Sequence, residues 1–216
     1  MTPDAPSIPP SPPAPLTLEA SGRRFGHYVW AERRLFEILG AWSGDTSDPA
    51  ARPVLAANAA HHAWRAEVLA TRLPTASGLD VSGWIGPPSA DLVTCFSAVE
   101  EPGPTATAAR LVGVYRVIVP HLAEAFLYHL DRVVEISDRP SIRWLRLVLR
   151  DELADWRAGV GLLDGEDEGA VDAHRRRLAQ LLAEAGGVSG DRKPVQTTPG
   201  DEQWATTSLT TDRKPE

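Results

Sequence analysis

Residues 55–74 have the sequence LAANAAHHAWRAEVLATRLP, in which apolar residues recur at helical spacing up to Pro74. Three polar side chains follow one another at intervals of three and four residues and therefore share one helix face: Asn58, His61 and Arg65. We expect that face to be buried, because it lies in the middle of an apolar arc that includes Trp64. The stretch predicts a helix with an inward polar stripe, His61 being the inward histidine and His62 lying on the flank.

The composition is that of an ordinary globular chain. Of the 216 residues 43% are hydrophobic and 24% are charged. The net charge of −7 argues against broad nucleic-acid binding, which needs a basic surface. The single Cys95 excludes a disulfide framework within the chain, and no apolar run approaches the length of a membrane span. With no signal-peptide pattern at the N-terminus, we expect a cytoplasmic protein with neither nucleic-acid nor membrane partners.

Composition divides the chain into three parts. Residues 1–16 form a proline-rich arm and residues 188–216 a polar tail, and we expect both to be disordered. The folded domain is predicted to span residues 17–187. Within it, five segments have helical periodicity, at about 21–42, 53–73, 105–135, 140–163 and 169–185. Pro120 should kink the third of them, and residues 90–99 could be a short helix or an extended strip.

The lengths of the connections indicate the topology. About ten residues separate the first and second predicted helices, about thirty separate the second and third, and a few separate the third and fourth. This order of connections, short then long then short, is typical of a helical bundle with one long crossover. The fold class predicted from the sequence is therefore all-α, a four-helix bundle with one long crossover connection and an extra C-terminal helix.

Two further helices place carboxylates on predicted core faces. Glu32 lies among Phe25, Tyr28, Leu35, Phe36 and Leu39, and Glu152 lies among Leu145, Val148 and Leu149, with Asp155 on its flank. The third helix contributes Tyr115 and His129 to the core. An ionised carboxylate is costly to bury unless it is paired or bound to a cation. Carboxylates and imidazoles that converge in a helical bundle are the ligands of di-iron and di-manganese sites.

These patterns resemble the ferritin-like superfamily over about residues 20–165. The resemblance rests on Glu32, on NAAH at 58–61, on ELAD at 152–155 and on the long crossover. Other stretches, such as SIRWLRLVLRDELADW, resemble a bacterial subgroup of that superfamily. The resemblance implies a centre that binds iron or manganese, with these candidate ligands: Glu32, His61, Glu152 and Asp155.

The chain departs from the superfamily pattern at several ligand positions. Asn58 stands where a glutamate is expected, Asp155 where a histidine is expected, and the third helix has no well-placed inward glutamate. Arg65 could supply the positive charge of a metal, in which case no metal is needed.

Two functions therefore remain open. In the first, the centre is degenerate and the protein is a binding or accessory protein for an unknown protein or small molecule, with the possibility of a homo-oligomer. Its core would then hold a polar network of five residues: Asn58, His62, Arg65, Tyr115 and His129. In the second, the protein is a metal-dependent oxidase or oxygenase, with Tyr115 or His129 around the ligands. Both require Glu32, His61 and Glu152 to converge within about 8 Å, the scale that one metal pair or ion network can bridge.

Overall fold

The computed structural model describes residues 14–75, 77–81, 83–103, 105–136, 138–164 and 168–191. Over these ranges the regular secondary structure consists of six helices and contains no strand. The helices are α1 (Leu18–Asp45), α2 (Ala51–Ala70), α3 (Ala90–Glu100), α4 (Thr107–Leu130), α5 (Arg139–Gly161) and α6 (Glu168–Glu184). The predicted all-α class is confirmed.

Helix α1 begins where a cap and the hydrophobic pattern agree. The Thr17 hydroxyl accepts a hydrogen bond from the Ala20 backbone N–H at 3.1 Å, which satisfies one of the free donors of the first turn. The predicted inward face of α1 is buried, including Glu32. Phe36 is the exception, since 45% of it is exposed. The helix is thus longer than predicted at both ends, and its apolar face is narrower.

The connections follow the predicted order of short, long and short. Residues 46–50 join α1 to α2, and residues 131–138 join α4 to α5. The long connection between α2 and α4 contains α3, so the segment at 90–99 is a helix rather than an extended strip. Trp84 in that connection lies so close to α1 that a Cβ atom on Gly22 or Gly26 would overlap it. The part of the connection that runs from α2 to α3 is therefore anchored on α1.

Helix α4 contains a π-helical segment, Gly113–Ile118, immediately before Pro120. At its end the Val119 N–H bonds to the carbonyl of Val114, five residues earlier. In that pattern the Tyr115 carbonyl faces the nitrogen of Pro120, which has no hydrogen to donate. The Trp156 indole N–H of α5 donates to the Tyr115 carbonyl instead, at 2.9 Å. A change of helix type thus lies immediately before the proline at which the sequence predicted a kink.

Helix α4 is also long and apolar enough to cross a bilayer, with a mean hydropathy of 1.3 over an 18-residue window. This differs from the expectation that no apolar stretch has that length. However, 67% of the window is buried inside the protein, and packing in the core accounts for its apolar character.

The packed part of the chain extends past the predicted boundary at residue 187. Gly186 and Gly187 have positive φ angles and end α6, as their sequence predicted, and the Gly187 N–H bonds to the Leu182 carbonyl at 2.9 Å. Val188 is buried beyond them, and Asp191 pairs with Arg24 of α1. The rest of the predicted tail, from 192 onward, and the arm up to residue 13 lie outside the described residues.

Gly159 of α5 gives a test of this packing, because a Cβ atom there would overlap the ring of Tyr115 in the π-helical segment. We expect Gly159→Ala to lower the free energy of unfolding by about 1–3 kcal/mol, as overpacked core substitutions do. Gly161 in the same helix has open space around it. Gly161→Ala should therefore be neutral or stabilise by up to about 1 kcal/mol. Urea unfolding of both variants checks this, and equal effects would contradict the proposed contact.

Candidate functional site

Three helices bring ionisable side chains to one point in the core. Glu32 comes from α1, His62 and Arg65 from α2, and Glu152 from α5, and all four side chains have no exposed surface. We refer to these four residues as the core cluster. One ligand atom from each of Glu32, His62 and Glu152 lies within 4.8 Å of the others, so these three residues could hold a metal ion.

Arg65 lies at the centre of the core cluster. Its Nε is 2.8 Å from Glu152 Oε2 and 3.2 Å from Glu32 Oε2. Its Nη1 is 2.9 Å from Asp155 Oδ2 and also pairs with Asp151, and its Nη2 is 2.8 Å from His62 Nδ1. A guanidinium has five N–H donors and stays charged in proteins. Arg65 therefore brings one positive charge to four carboxylates.

The contact between Glu32 and His62 defines where a proton lies. Glu32 Oε2 is 2.6 Å from His62 Nδ1, and the same nitrogen faces the donor Nη2 of Arg65. Nδ1 of a neutral imidazole has one lone pair and accepts one hydrogen bond. Burial raises the pKa of Glu32 and lowers that of His62, so the proton of the short contact lies on the Glu32 carboxyl and Nδ1 accepts it. The hydrogen of the neutral His62 ring is then on Nε2, which has no hydrogen-bond partner among the described residues.

Burial governs the pKa values of the core cluster. Removal from water raises the pKa of Glu32 to about 7 and that of Glu152 to about 7, against the opposing pull of Arg65. Removal from water also lowers the pKa of His62 to about 4, with Arg65 acting in the same direction. Protons on the glutamates thus reduce the excess of negative charge that a single guanidinium leaves.

A second group of ligands adjoins the core cluster on its solvent side. We refer to His61, Asp151 and Asp155 as the outer group; their ligand atoms also lie within 4.8 Å of one another. His61 Nδ1 is 2.8 Å from Asp155 Oδ1. Arg65 joins the two groups, because its Nη1 contacts both aspartates of the outer group.

Asn58 and Tyr115 extend this network to α4. The Tyr115 hydroxyl donates to the Asn58 amide oxygen at 2.8 Å when the amide nitrogen points toward Asp155 Oδ1, 3.1 Å away. Burial raises the pKa of Tyr115, so its hydroxyl keeps its proton. The predicted polar network of Asn58, His62, Arg65 and Tyr115 is therefore one connected set of hydrogen bonds.

The predicted orientation of the two histidines is wrong. His61 was expected in the core with Glu32 and Glu152, but its side chain is 48% exposed, and His62 takes the inward position. The buried face of α2 runs through Leu55, Asn58, Ala59, His62, Arg65, Ala66 and Leu69. Trp64, predicted to lie in the buried apolar arc, is 39% exposed. Alanines lie on every side of α2, so its apolar pattern does not define the buried face.

His129 is buried, as predicted, but its contacts are separate from the core cluster. Its Nε2 is 2.8 Å from the Ser21 hydroxyl, and its ring packs on Phe25 and Tyr28. Burial lowers the pKa of His129 to about 3, so it is a neutral, hydrogen-bonded core residue. Asp155, predicted on the flank, is buried and bonds to both Arg65 and His61.

The donor set does not fit the two-metal centre that the ferritin-like pattern implies. That centre needs a Glu from each of two helices and a Glu-x-x-His pair from each of two others. Here Ala59 stands three residues before His62, Asp155 stands three residues after Glu152, and α4 contributes Tyr115 without a carboxylate. Arg65 also contacts both glutamates that would bind the metals. A single cation on Glu32, His62 and Glu152 has enough ligands, but Arg65 would have to move away from them.

Adjacent substitutions on α2 test the orientation of the histidines. His62→Ala removes a buried ring that contacts Glu32 and Arg65, and we expect it to cost about 2–4 kcal/mol of stability. His61→Ala removes a half-exposed ring with one partner, and it should cost less than about 1 kcal/mol. Urea unfolding measures both values. A larger loss for His61→Ala would show that α2 is rotated so that His61 rather than His62 faces the core.

The raised pKa of Glu32 gives a pH prediction. The folded protein holds the Glu32 proton more tightly than the unfolded chain, whose value is 4.5. This contribution to stability is full below that value and is lost as the pH rises through about 7. Glu32→Gln should therefore lose less stability than the wild type as the pH rises from about 4.5 to about 7. Urea unfolding across this range tests it, and an equal slope in the variant would contradict a protonated Glu32.

Comparison with known proteins assigns the chain to no family. No protein-family model, no curated protein and no solved structure matches the chain. Membership of the ferritin-like superfamily therefore stays a prediction from the residues and the connections.

Proposed function

We propose that this protein is a ferritin-like helical bundle with a degenerate metal centre, and that it acts as a binding or accessory protein. In this proposal Arg65 takes the place of the metal cation, and the core cluster holds the helices together. The interaction with a partner then takes place at the surface of the bundle.

One observation carries the proposal, namely the position of the Arg65 guanidinium. The side chain is fully buried, and its Nε lies between the two carboxylates that a metal would need, at 2.8 and 3.2 Å. The contact with Glu32 is a charge-assisted hydrogen bond and the contact with Glu152 is an ion pair, and both compensate a buried carboxylate directly. A cation and a guanidinium at the same oxygens would repel each other, so the two arrangements exclude one another.

The connectivity supports the ferritin-like part of the proposal. Two helix pairs with short connections, α1–α2 and α4–α5, are joined by one long crossover. The charged residues of the centre come from α1, α2 and α5, the helices on which the superfamily pattern placed them. Asn58, Asp155 and Tyr115 occupy positions where the superfamily pattern expects metal ligands. They form hydrogen bonds with each other or with Arg65 instead.

A second candidate function is a metal-dependent oxidase or oxygenase with one iron or manganese ion. A specific observation favours it: both oxygens of Glu152, Oε1 of Glu32 and Nε2 of His62 lack a hydrogen-bond partner among the described residues. Glu32, His62 and Glu152 would hold the ion, with Asp155 nearby, and the ion would supply redox chemistry when bound. In this arrangement Arg65 would pair with Asp151 and Asp155 alone.

Substitution of Arg65 separates the two candidates. If Arg65 replaces the metal, Arg65→Leu leaves buried carboxylates unpaired and should cost about 3–5 kcal/mol, while EDTA leaves the melting temperature of the wild type unchanged. Adding Glu152→Gln to Arg65→Leu should recover part of the loss, because one orphaned charge is removed. Thermal and urea unfolding, each with and without EDTA, measure these effects.

Arg52 provides the matched control on the same helix. It is an exposed arginine that donates to the Thr46 carbonyl at 2.9 and 3.0 Å, so Arg52→Leu should cost less than about 1.5 kcal/mol. The metal content of protein purified from medium with added iron and manganese completes the experiment. About one bound ion per chain, together with a wild type that EDTA destabilises, would overturn the proposal and support the oxidase.

A further inference from the structure

Helix α5 carries four exposed arginines on one face, apart from the core cluster. They are spaced four, three and four residues apart, which places them within a narrow arc of the helix. We refer to them as the arginine stripe: Arg139, Arg143, Arg146 and Arg150. Among the residues that the structure describes, none forms a hydrogen bond or an ion pair with these four guanidinium groups. Other arginines of the chain, such as Arg110 and Arg177, are paired with carboxylates.

The first three arginines of the stripe border a groove between the end of α4 and the start of α5. Its volume is about 540 Å³, within the range of roughly 300–1,000 Å³ that holds small molecules. Its apolar lining consists of Leu130, Val133 and Ile142, all partly exposed. Arg139, Arg143 and Arg146 outnumber Glu135, the one carboxylate in the lining.

A group of unpaired arginines beside an apolar lining is unusual for a chain with a net charge of −7. Unpaired guanidinium groups repel each other, and nothing in the described fold requires them to be together. The groove lies where one helix ends and the next begins, so the helix dipoles oppose each other there and the positive potential comes from the arginine side chains. A ligand that neutralises these groups gains charge-assisted hydrogen bonds, and one that also covers the apolar lining gains hydrophobic burial.

We propose that this groove binds a small amphipathic anion, a single alkyl or acyl chain with a carboxylate or phosphate head group. The chain would lie on Leu130, Val133 and Ile142, and the head group would bind the guanidinium groups of Arg143 and Arg146. The inference rests on the proposed function, in that it assigns a ligand class to a protein that works by binding at its surface.

The shape of the site favours a small ligand over a macromolecule. The apolar lining adjoins only the first three arginines, and Arg150 lies outside the groove. An extended partner, such as an anionic membrane or an acidic helix, would use the whole arginine stripe, including Arg150. Arg150 therefore distinguishes a ligand in the groove from a partner along the helix.

Isothermal titration calorimetry with the full-length protein tests the proposal, with decanoate below its micellar concentration as the probe. Decanoate and decyl phosphate should both bind, and the tighter of the two identifies the preferred head group. Acetate, which lacks the chain, and decanol, which lacks the charge, should each bind at least about tenfold more weakly. Decyltrimethylammonium should not bind. Equal binding of decanol and decanoate would overturn the role of the arginines.

Substitutions then locate the site. Arg143→Gln and Arg146→Gln should each weaken decanoate binding about tenfold, the effect of losing one charge-assisted hydrogen bond. Ile142→Ser should weaken decanoate binding too, because it removes apolar surface from the lining. Arg150→Gln is the matched control and should leave binding unchanged. Thermal unfolding of each variant confirms that it is folded.

Two further results would overturn the proposal. One is an equal loss with Arg150→Gln and Arg143→Gln. The other is binding to phosphatidylglycerol vesicles or to an acidic peptide without binding to monomeric decanoate. The EDTA response of the wild type and the effect of Arg65→Leu are measured on the same protein without these ligands. A degenerate centre without decanoate binding would therefore reject the groove alone, whereas a bound metal with decanoate binding would reject only the proposed function.

Discussion

The burial of one guanidinium is the constraint on which the rest of this structure depends. Arg65 is completely enclosed, and an isolated charge in that position would be far too costly for a domain of this size. Glu32 and Glu152 must therefore approach it from α1 and α5, and Asp155 must approach from the side. Three helices are thus fixed in rotation and in height by one side chain. Ordinary apolar contacts tolerate small shifts between helices, but hydrogen bonds and buried ion pairs at 2.8–3.2 Å do not.

The fourth long helix is tied to the same centre by an indirect route. Pro120 removes a backbone donor from α4, the π-helical segment accommodates the missing bond, and Trp156 of α5 satisfies the carbonyl that remains. This places Tyr115 where its hydroxyl meets Asn58, and it requires Gly159 to leave space for its ring. A proline near the middle of a helix therefore contributes to the geometry of a polar core rather than only interrupting the helix.

The sequence was sufficient for the helices and for most of the centre, but not for its details. Glu32 and Glu152 could be predicted because each is a lone carboxylate on a strongly apolar face. The choice between His61 and His62 could not, because α2 is rich in alanine and buries polar side chains, so its hydrophobic pattern points weakly in any direction. The π-helical segment was also beyond prediction, since Pro120 indicates a missing backbone donor but not how the helix accommodates it. The central role of Asp155 depends on its distance to Arg65, which no spacing along the chain reveals.

The anchoring of Trp84 on Gly22 and Gly26 has a consequence for the entropy of the chain. The connection between α2 and α4 spans residues 71–106, but contact with α1 and the presence of α3 divide it into shorter, separately closed loops. The cost of closing a flexible loop grows only slowly with length, by about 0.6 kcal/mol for each doubling. Insertions on either side of Trp84 should consequently be easy to accommodate. The contact of Trp84 with α1 holds the connection in place. We therefore expect the length of the connection to tolerate change, but not its path across α1.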